Sequence, residues 1–350
     1  MLRVAALLAA ALCGLAVAGC GDGAEPGAPA GATLVLDFQP NAVHTGIYAA
    51  KERGSFEAEG LDLEIREPSA SADSAKLLEA GRADFAVMDV NDFGIARQRG
   101  LQIVAIAALV QRPLAAVIAS DRNAVRTPAD LAGATVGVTG VPSDDAVLDT
   151  VLDGAGLPPD AVERQTIGFQ AVPLLASGRL AAATAFWNAE GVELVQQGVP
   201  TREFRVDEFG APRYPELIVA AAQPAGLLAP DDPICRFVLG LEGGYSALAD
   251  DPGAALGDLL EAAPESDEES QRAQLAALVA ADAFSLADEK SPQAAPVGEP
   301  TSVLDRAGAS RWLEWAAANG IVEPAKARQV GSGLRSSAHS ECDLRPLDPG

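Results

Sequence analysis

From Thr33 onward the sequence predicts an α/β fold of two lobes, with a ligand cleft between them and a helical C-terminal wrap. Short apolar runs alternate with helix-patterned segments, the alternation is laid down twice, and the last third of the chain is helical in pattern. At 350 residues the chain also exceeds one average domain.

In the first unit strands are expected at 33–38, 61–66, 84–88, 102–109 and 114–119. Helices fall between them at 46–53, 73–79 and 92–98. Each stops at a glycine, Gly54, Gly81 or Gly100, because a residue past the last helical turn tends to adopt the left-handed conformation. The second unit opens with a capped turn at 127–131 and continues strand 134–139, helix 143–153, strand 162–168, helix 172–177, strand 181–187, helix 190–197. It reads as a small copy of the first. The apolar run 217–222 returns the chain to the first lobe, Pro215 and Pro224 bracket that crossing, and helices follow from 232 to about 319. The expected boundaries are 33–120 for the first part of lobe 1, 121–218 for lobe 2, 219–330 for the rest of lobe 1, and 331–350 for a tail.

Ahead of the lobes, Arg3 precedes an apolar run at 4–18 and then Val17-Ala18-Gly19-Cys20. The run is shorter than the ~20 residues a spanning helix needs, and small residues precede the cysteine. Residues 1–20 therefore read as a lipoprotein signal peptide with its lipobox, and Cys20 as the lipidated residue that anchors the chain on the extracytoplasmic face of the membrane. Residues 21–32, rich in Gly, Ala and Pro, read as a flexible tether. Cys235 and Cys342 remain: in an oxidising compartment they could pair, or Cys235 could be a buried free thiol.

The 49 acidic against 25 basic residues give a net charge of −24, which repels phosphate backbones and argues against nucleic acid as a partner. Ligands of α/β sheets sit beyond the carboxyl ends of the strands. The loops there offer Asn41, His44, Asp89, Asp92, Ser143, Asp144, Asn188 and Glu190, and no Lys or Arg. An anion binder gathers cations, so this cleft favours a neutral or weakly basic ligand rich in N–H donors. Phe38 and Trp187, each at a strand end, are expected to hold a flat ring between them. Several of these residues have a second role open to them. Asn41, Asp89, Asp92 and Ser143 are each plausible helix caps, with Asp89 favoured as the one facing the cleft; His44 could be a cap or turn contact for the helix that follows, Glu190 could simply open its helix, and Tyr48 could face the cleft or the core. The run Glu265-Ser266-Asp267-Glu268-Glu269 reads as an acidic first turn rather than a metal loop, which needs alternating ligands and a central glycine. There is no Cys-x-x-Cys, no Gly-x-Ser-x-Gly and no phosphate loop, so neither a catalytic constellation nor a cofactor is expected.

The block Asp37-Phe38-Gln39-Pro40-Asn41-Ala42-Val43-His44-Thr45-Gly46-Ile47-Tyr48, with Lys51-Glu52-Arg53-Gly54-Ser55-Phe56 and Glu59-Gly60-Leu61-Asp62-Leu63, resembles the opening of the thiamine-pyrimidine-precursor-binding proteins of ABC importers. These are related to sulfonate and nitrate binders. Ala80-Gly81-Arg82-Ala83-Asp84-Phe85-Ala86-Val87, Asp130-Leu131-Ala132-Gly133-Ala134-Thr135-Val136-Gly137 and the helix at 236–250 fit as well, so the resemblance runs from about Thr33 to Asn319. It implies a type II periplasmic-binding-protein fold, a monomer, a membrane permease as partner, and an aminopyrimidine ligand to which His44 donates. Some enzymes that make the pyrimidine share the fold. Where the family usually has Trp this chain has Phe38, which keeps a stacking face while losing the indole donor, so riboflavin or another heteroaromatic stays open beside the pyrimidine.

Overall fold

The computed structural model describes residues 29–68, 73–121, 125–226, 228–286, 299–334 and 337–342. The proposed lipidation site at Cys20 and most of the tether lie outside the described residues. The tether is shorter than expected, because β1 (Ala30–Val35) starts at Ala30, which pairs with Leu61.

The first sheet has the order β2-β1-β3-β10-β4, from β2 (Leu61–Arg66), β1, β3 (Phe85–Asp89), β10 (Leu217–Ala222) and β4 (Ile103–Val110). The second has the order β7-β6-β8-β5-β9, from β7 (Glu163–Thr166), β6 (Thr135–Val138), β8 (Ala182–Phe186), β5 (Ala115–Ser120) and β9 (Thr201–Arg205). The two orders have the same form. In each sheet four strands run the same way, and only the strand that arrives from the other sheet is antiparallel to its neighbours: β10 to β3 and β4, β5 to β8 and β9. Each sheet is thus mixed. A strand entering from the other lobe starts at the cleft and must run away from it. β5 likewise belongs to the second sheet, although a boundary at 120 counts it with the first lobe. The crossings therefore fall at 111–114 and 209–216.

Burial explains which runs became central. All eight residues of β4 are buried, as are four of five in β3, and a continuous apolar run is what a strand covered on both faces requires. The edge strand β2 instead alternates Leu61 and Leu63 inward with Asp62 and Glu64 outward. One apolar cluster (Leu34, Leu36, Val87, Ile106) covers one face of the first sheet and a second (Ala86, Met88, Ala105, Ile218) the other.

Helices α1 (Thr45–Glu52), α2 (Ser55–Ala58), α3 (Asp73–Glu79) and α4 (Val90–Gln98) serve the first sheet. Helices α5 (Pro142–Gly154), α6 (Ala171–Ala176) and α7 (Val192–Gln196) serve the second. The C-terminal part supplies α8 (Pro233–Asp250), α9 (Pro252–Ala262), α10 (Glu268–Ala280), α11 (Arg306–Ala318), α12 (Ala327–Gly331) and α13 (Ser337–Cys342). Helix α8 lies so close on α1 that a Cβ at Gly244 would come within 1.9 Å of the Gly46 carbonyl oxygen, a contact that glycine alone permits. Asp267 caps α10 by accepting from Ser270 N–H, and Glu268 and Glu269 fill its first turn, where carboxylates suit the helix dipole.

Two contacts tie described residues beyond 330 to the body. Ala105 N–H donates to Gly333 O, and Cys342 on α13 is joined by a disulfide to Cys235 on α8 across a sequence separation of 107.

Candidate functional site

The carboxyl ends of β1, β3, β6, β7 and β8 position the candidate residues. On the first lobe, β1 leads into Asp37 and then Phe38, whose ring is 60% exposed. Asn41 caps the 3-10 turn Ala42–His44: its Oδ1 accepts from Val43 N–H at 3.2 Å and its Nδ2 donates to Gln39 O at 2.9 Å. His44 is fully buried. Its Nδ1 accepts from Asn41 N–H at 3.2 Å, so Nε2 carries the hydrogen and donates to Asp37 Oδ1 at 2.8 Å. Both ring nitrogens are thus engaged, and the expected role of His44 as a donor to ligand is corrected to one of holding Asp37 and the turn in place.

Asp89 ends β3 and caps α4, accepting from Asn91 N–H at 2.6 Å. Burial holds its carboxyl well above the usual carboxylate range, helped by the neighbouring Glu216. Asp92, one turn into α4, reaches solvent and is pushed up to about 6, first by partial desolvation and then by Asp89 and Asp37. The first lobe therefore contributes a floor of carboxyl groups. Tyr48 is buried, and its phenol is pushed up to about 12 by burial first and then by Glu67, Glu265 and Glu52.

On the second lobe Ser143 is half-buried in the first turn of α5, and the cap is Val141 rather than Ser143, because Pro142 occupies the first helical position. Asp144 accepts from Thr139 N–H at 2.6 Å and fixes the loop after β6. Strand β8 ends on Phe186, which is 38% exposed. The next five residues, Trp187–Gly191, form a single π turn.

Trp187 is the largest correction. Its ring is 1% exposed, its Nε1–H donates to Pro113 O at 2.9 Å, and the Arg205 guanidinium covers it at 4.0 Å from the ring centre. No face is left for a ligand, so Trp187 packs the second lobe against the first crossing. Phe186 presents its ring instead, a residue that the sequence reading passed over. Asn188 is 2% exposed and its Oδ1 lacks a hydrogen-bond partner, which makes it a buried acceptor awaiting a donor. Glu190 Oε2 accepts from Phe186 N–H at 3.0 Å, and burial raises its carboxyl.

The two walls are brought together by α10, which touches both the 42–44 turn and the 187–191 turn; Gln271 Oε1 accepts from Ala42 N–H at 2.7 Å. Six large apolar residues among the described ones are exposed, and four of them, Phe38, Val141, Phe169 and Phe186, follow the carboxyl ends of β1, β6, β7 and β8. An apolar rim with carboxyl groups behind it and a buried amide acceptor can take a flat ring bearing N–H donors. Phe38 is thus left exposed, Asn188 Oδ1 is buried without a partner and Glu190 is tied to the end of β8, whereas His44, Asp89 and Trp187 have their polar atoms engaged within the fold.

The profile of the NMT1/THI5-like family matches residues 41–255. The formylaminopyrimidine-binding protein of Halalkalibacterium halodurans is 32% identical over 228 residues, covering 65% of this chain and 69% of that one. A 4-amino-5-hydroxymethyl-2-methylpyrimidine phosphate synthase of Legionella pneumophila is 26% identical over 177 residues, 51% of this chain and 56% of its own. Among solved structures, the periplasmic aliphatic sulphonate binding protein SsuA from Escherichia coli superposes with a TM-score of 0.64 at 13% identity, over 89% of this chain and 100% of that one. The fold is therefore the two-lobed periplasmic-binding-protein fold.

Proposed function

The chain belongs to the NMT1/THI5-like family, and from that premise we propose that it is the extracytoplasmic solute-binding protein of an ABC importer, capturing a thiamine pyrimidine precursor or a similar aminopyrimidine. The observation that carries this reading is the pair of exposed rings, Phe38 and Phe186, at the strand ends of the two lobes. The ring of the ligand lies against them, its exocyclic amine donates to Asn188 Oδ1, and the carboxyl groups of Asp92 and Glu190 accept the remaining N–H groups. The chain works as a monomer, held on the membrane by lipid on Cys20, and the closed form is read by the permease. Among the described residues no helix is long and apolar enough to cross a membrane.

The reading is non-catalytic. The relatives named as synthases are matched over a quarter to about half of this chain, whereas the formylaminopyrimidine-binding relative is matched over 65%.

Calorimetric titration with formylaminopyrimidine should give saturable one-to-one binding, with a negative heat-capacity change from burial of the ring. Silence toward pyrimidines together with heat on adding riboflavin or taurine overturns the ligand class, and release of a new product during the titration overturns the non-catalytic reading. Replacing Cys20 by Ser should move the protein from the membrane fraction to the soluble fraction. Persistence on the membrane removes the lipid anchor from the proposal.

A further inference from the structure

Both crossings between the lobes converge on one side chain. Glu216 is the last residue of the second crossing, immediately before β10, and is 1% exposed. Its backbone N–H donates to Val110 O at 2.9 Å, and its carbonyl accepts from Val90 N–H at 2.8 Å, which fixes it between β4 and the start of α4. Its Oε2 accepts from Leu114 N–H at 3.0 Å, in the first crossing. The Val90 N–H bond to the Glu216 carbonyl brings Glu216 to the Asp89 end of β3, where the two side chains form a carboxyl–carboxyl hydrogen bond.

Each carboxyl has one oxygen engaged by a backbone N–H, that of Asn91 for Asp89 and that of Leu114 for Glu216. Two buried carboxylates in contact cannot both be ionised, so one proton lies between them. Asp207, Tyr214 and, on the far side of Asp89, Asp92 also face the pair, and none brings a positive charge. The cations of the crossings are committed elsewhere: Arg112 to Asp207, Glu208 and Ala281 O, and Arg213 to the Asp282 and Ser285 carbonyls.

We propose that Glu216 is a positioning residue for capture, a single buried carboxyl that fastens both crossings to the Asp89 end of the cleft floor through a proton the two side chains share. The word capture rests on the function proposed above; the clasp itself does not.

The pair makes stability depend on pH in a definite direction. Burial raises both carboxyl groups in the folded state, so above the ordinary carboxylate range the folded chain holds a proton that the unfolded chain has lost. Stability then falls as pH rises, until the folded pair gives that proton up. Asp92, at about 6, adds a fall of the same sign that is mostly complete below pH 7.

The test is the melting temperature of the ligand-free full chain between pH 7 and 9, above the fall due to Asp92, for the wild type, Glu216→Gln and Glu216→Ala, with affinity for formylaminopyrimidine as a second readout. Glutamine keeps the acceptor for Leu114 and gives Asp89 a permanent donor. E216Q should therefore lose the decline with pH, which in the wild type amounts to about 2 °C or more, and bind the probe with at most a roughly threefold change. E216A should melt lower across the range and bind more weakly. A wild-type slope retained in E216Q overturns the shared proton, and unchanged probe affinity in E216A overturns the positioning role. If the wild type binds no pyrimidine, the proposed function fails while the melting series still decides the clasp.

Discussion

Replacing Phe186 by Ala should weaken binding of formylaminopyrimidine roughly 30-fold, a loss of about 2 kcal/mol, and leave the melting temperature of the ligand-free chain nearly unchanged. The ring is 38% exposed at the end of β8, so it owes little to the core and can bury most of that area against a ligand. Substituting Trp187 should do the reverse. Its ring is 1% exposed, and its loss removes the hydrogen bond to Pro113 O and the seat of Arg205, so the cost falls on folding. Parallel calorimetric and thermal-melt measurements on the two variants separate the roles. An F186A protein that binds like the wild type, or a W187 variant that loses affinity with full stability, would return Trp187 to the ligand.

Replacing Cys235 by Ser should destabilise the protein by about 2–5 kcal/mol, read as a lower urea midpoint with a similar slope. The disulfide closes a loop across a separation of 107 residues, and a long loop removes much chain entropy from the unfolded state. It also pins α13 to α8, next to the point where Gly333 O accepts from β4. C235S and C342S should therefore lose similar amounts and show no further loss when combined. Additive losses would mean that the thiols act separately.

The parts of the fold that depend on local pattern were legible. Strands β3 and β4 announce themselves as apolar runs, and Gly54, Gly81 and Gly100 have positive φ where helices were expected to stop. Strand β9 was missed because Thr201–Arg205 is polar at all but one position; a neighbour, β5, makes it a strand, not its own pattern. The site was harder for the same reason. Alanines occupy both faces of β8, so nothing in 182–187 says whether Phe186 or Trp187 turns inward. Pro113 and Arg205, distant in the chain, decide it. The sequence left His44 between a donor to ligand and a turn contact, because the partners that make it the latter are a backbone N–H and a carboxylate that only the turn geometry supplies. Glu216 carries no local signal at all, since a carboxyl in a linker is ordinary until the fold encloses it.

The exchange of strands between the sheets has a consequence for how the chain is made. Strand β10 is the inner neighbour of both β3 and β4, yet it is synthesised after the whole of the second sheet. The second sheet is contiguous, from β5 to β9, and can assemble as soon as it emerges. The first must wait with the slot between β3 and β4 empty and β4 unpaired, which makes insertion of residues 217–222 the late, non-local event of folding and the interval before it the time when β3 and β4 are most exposed to pairing with another chain.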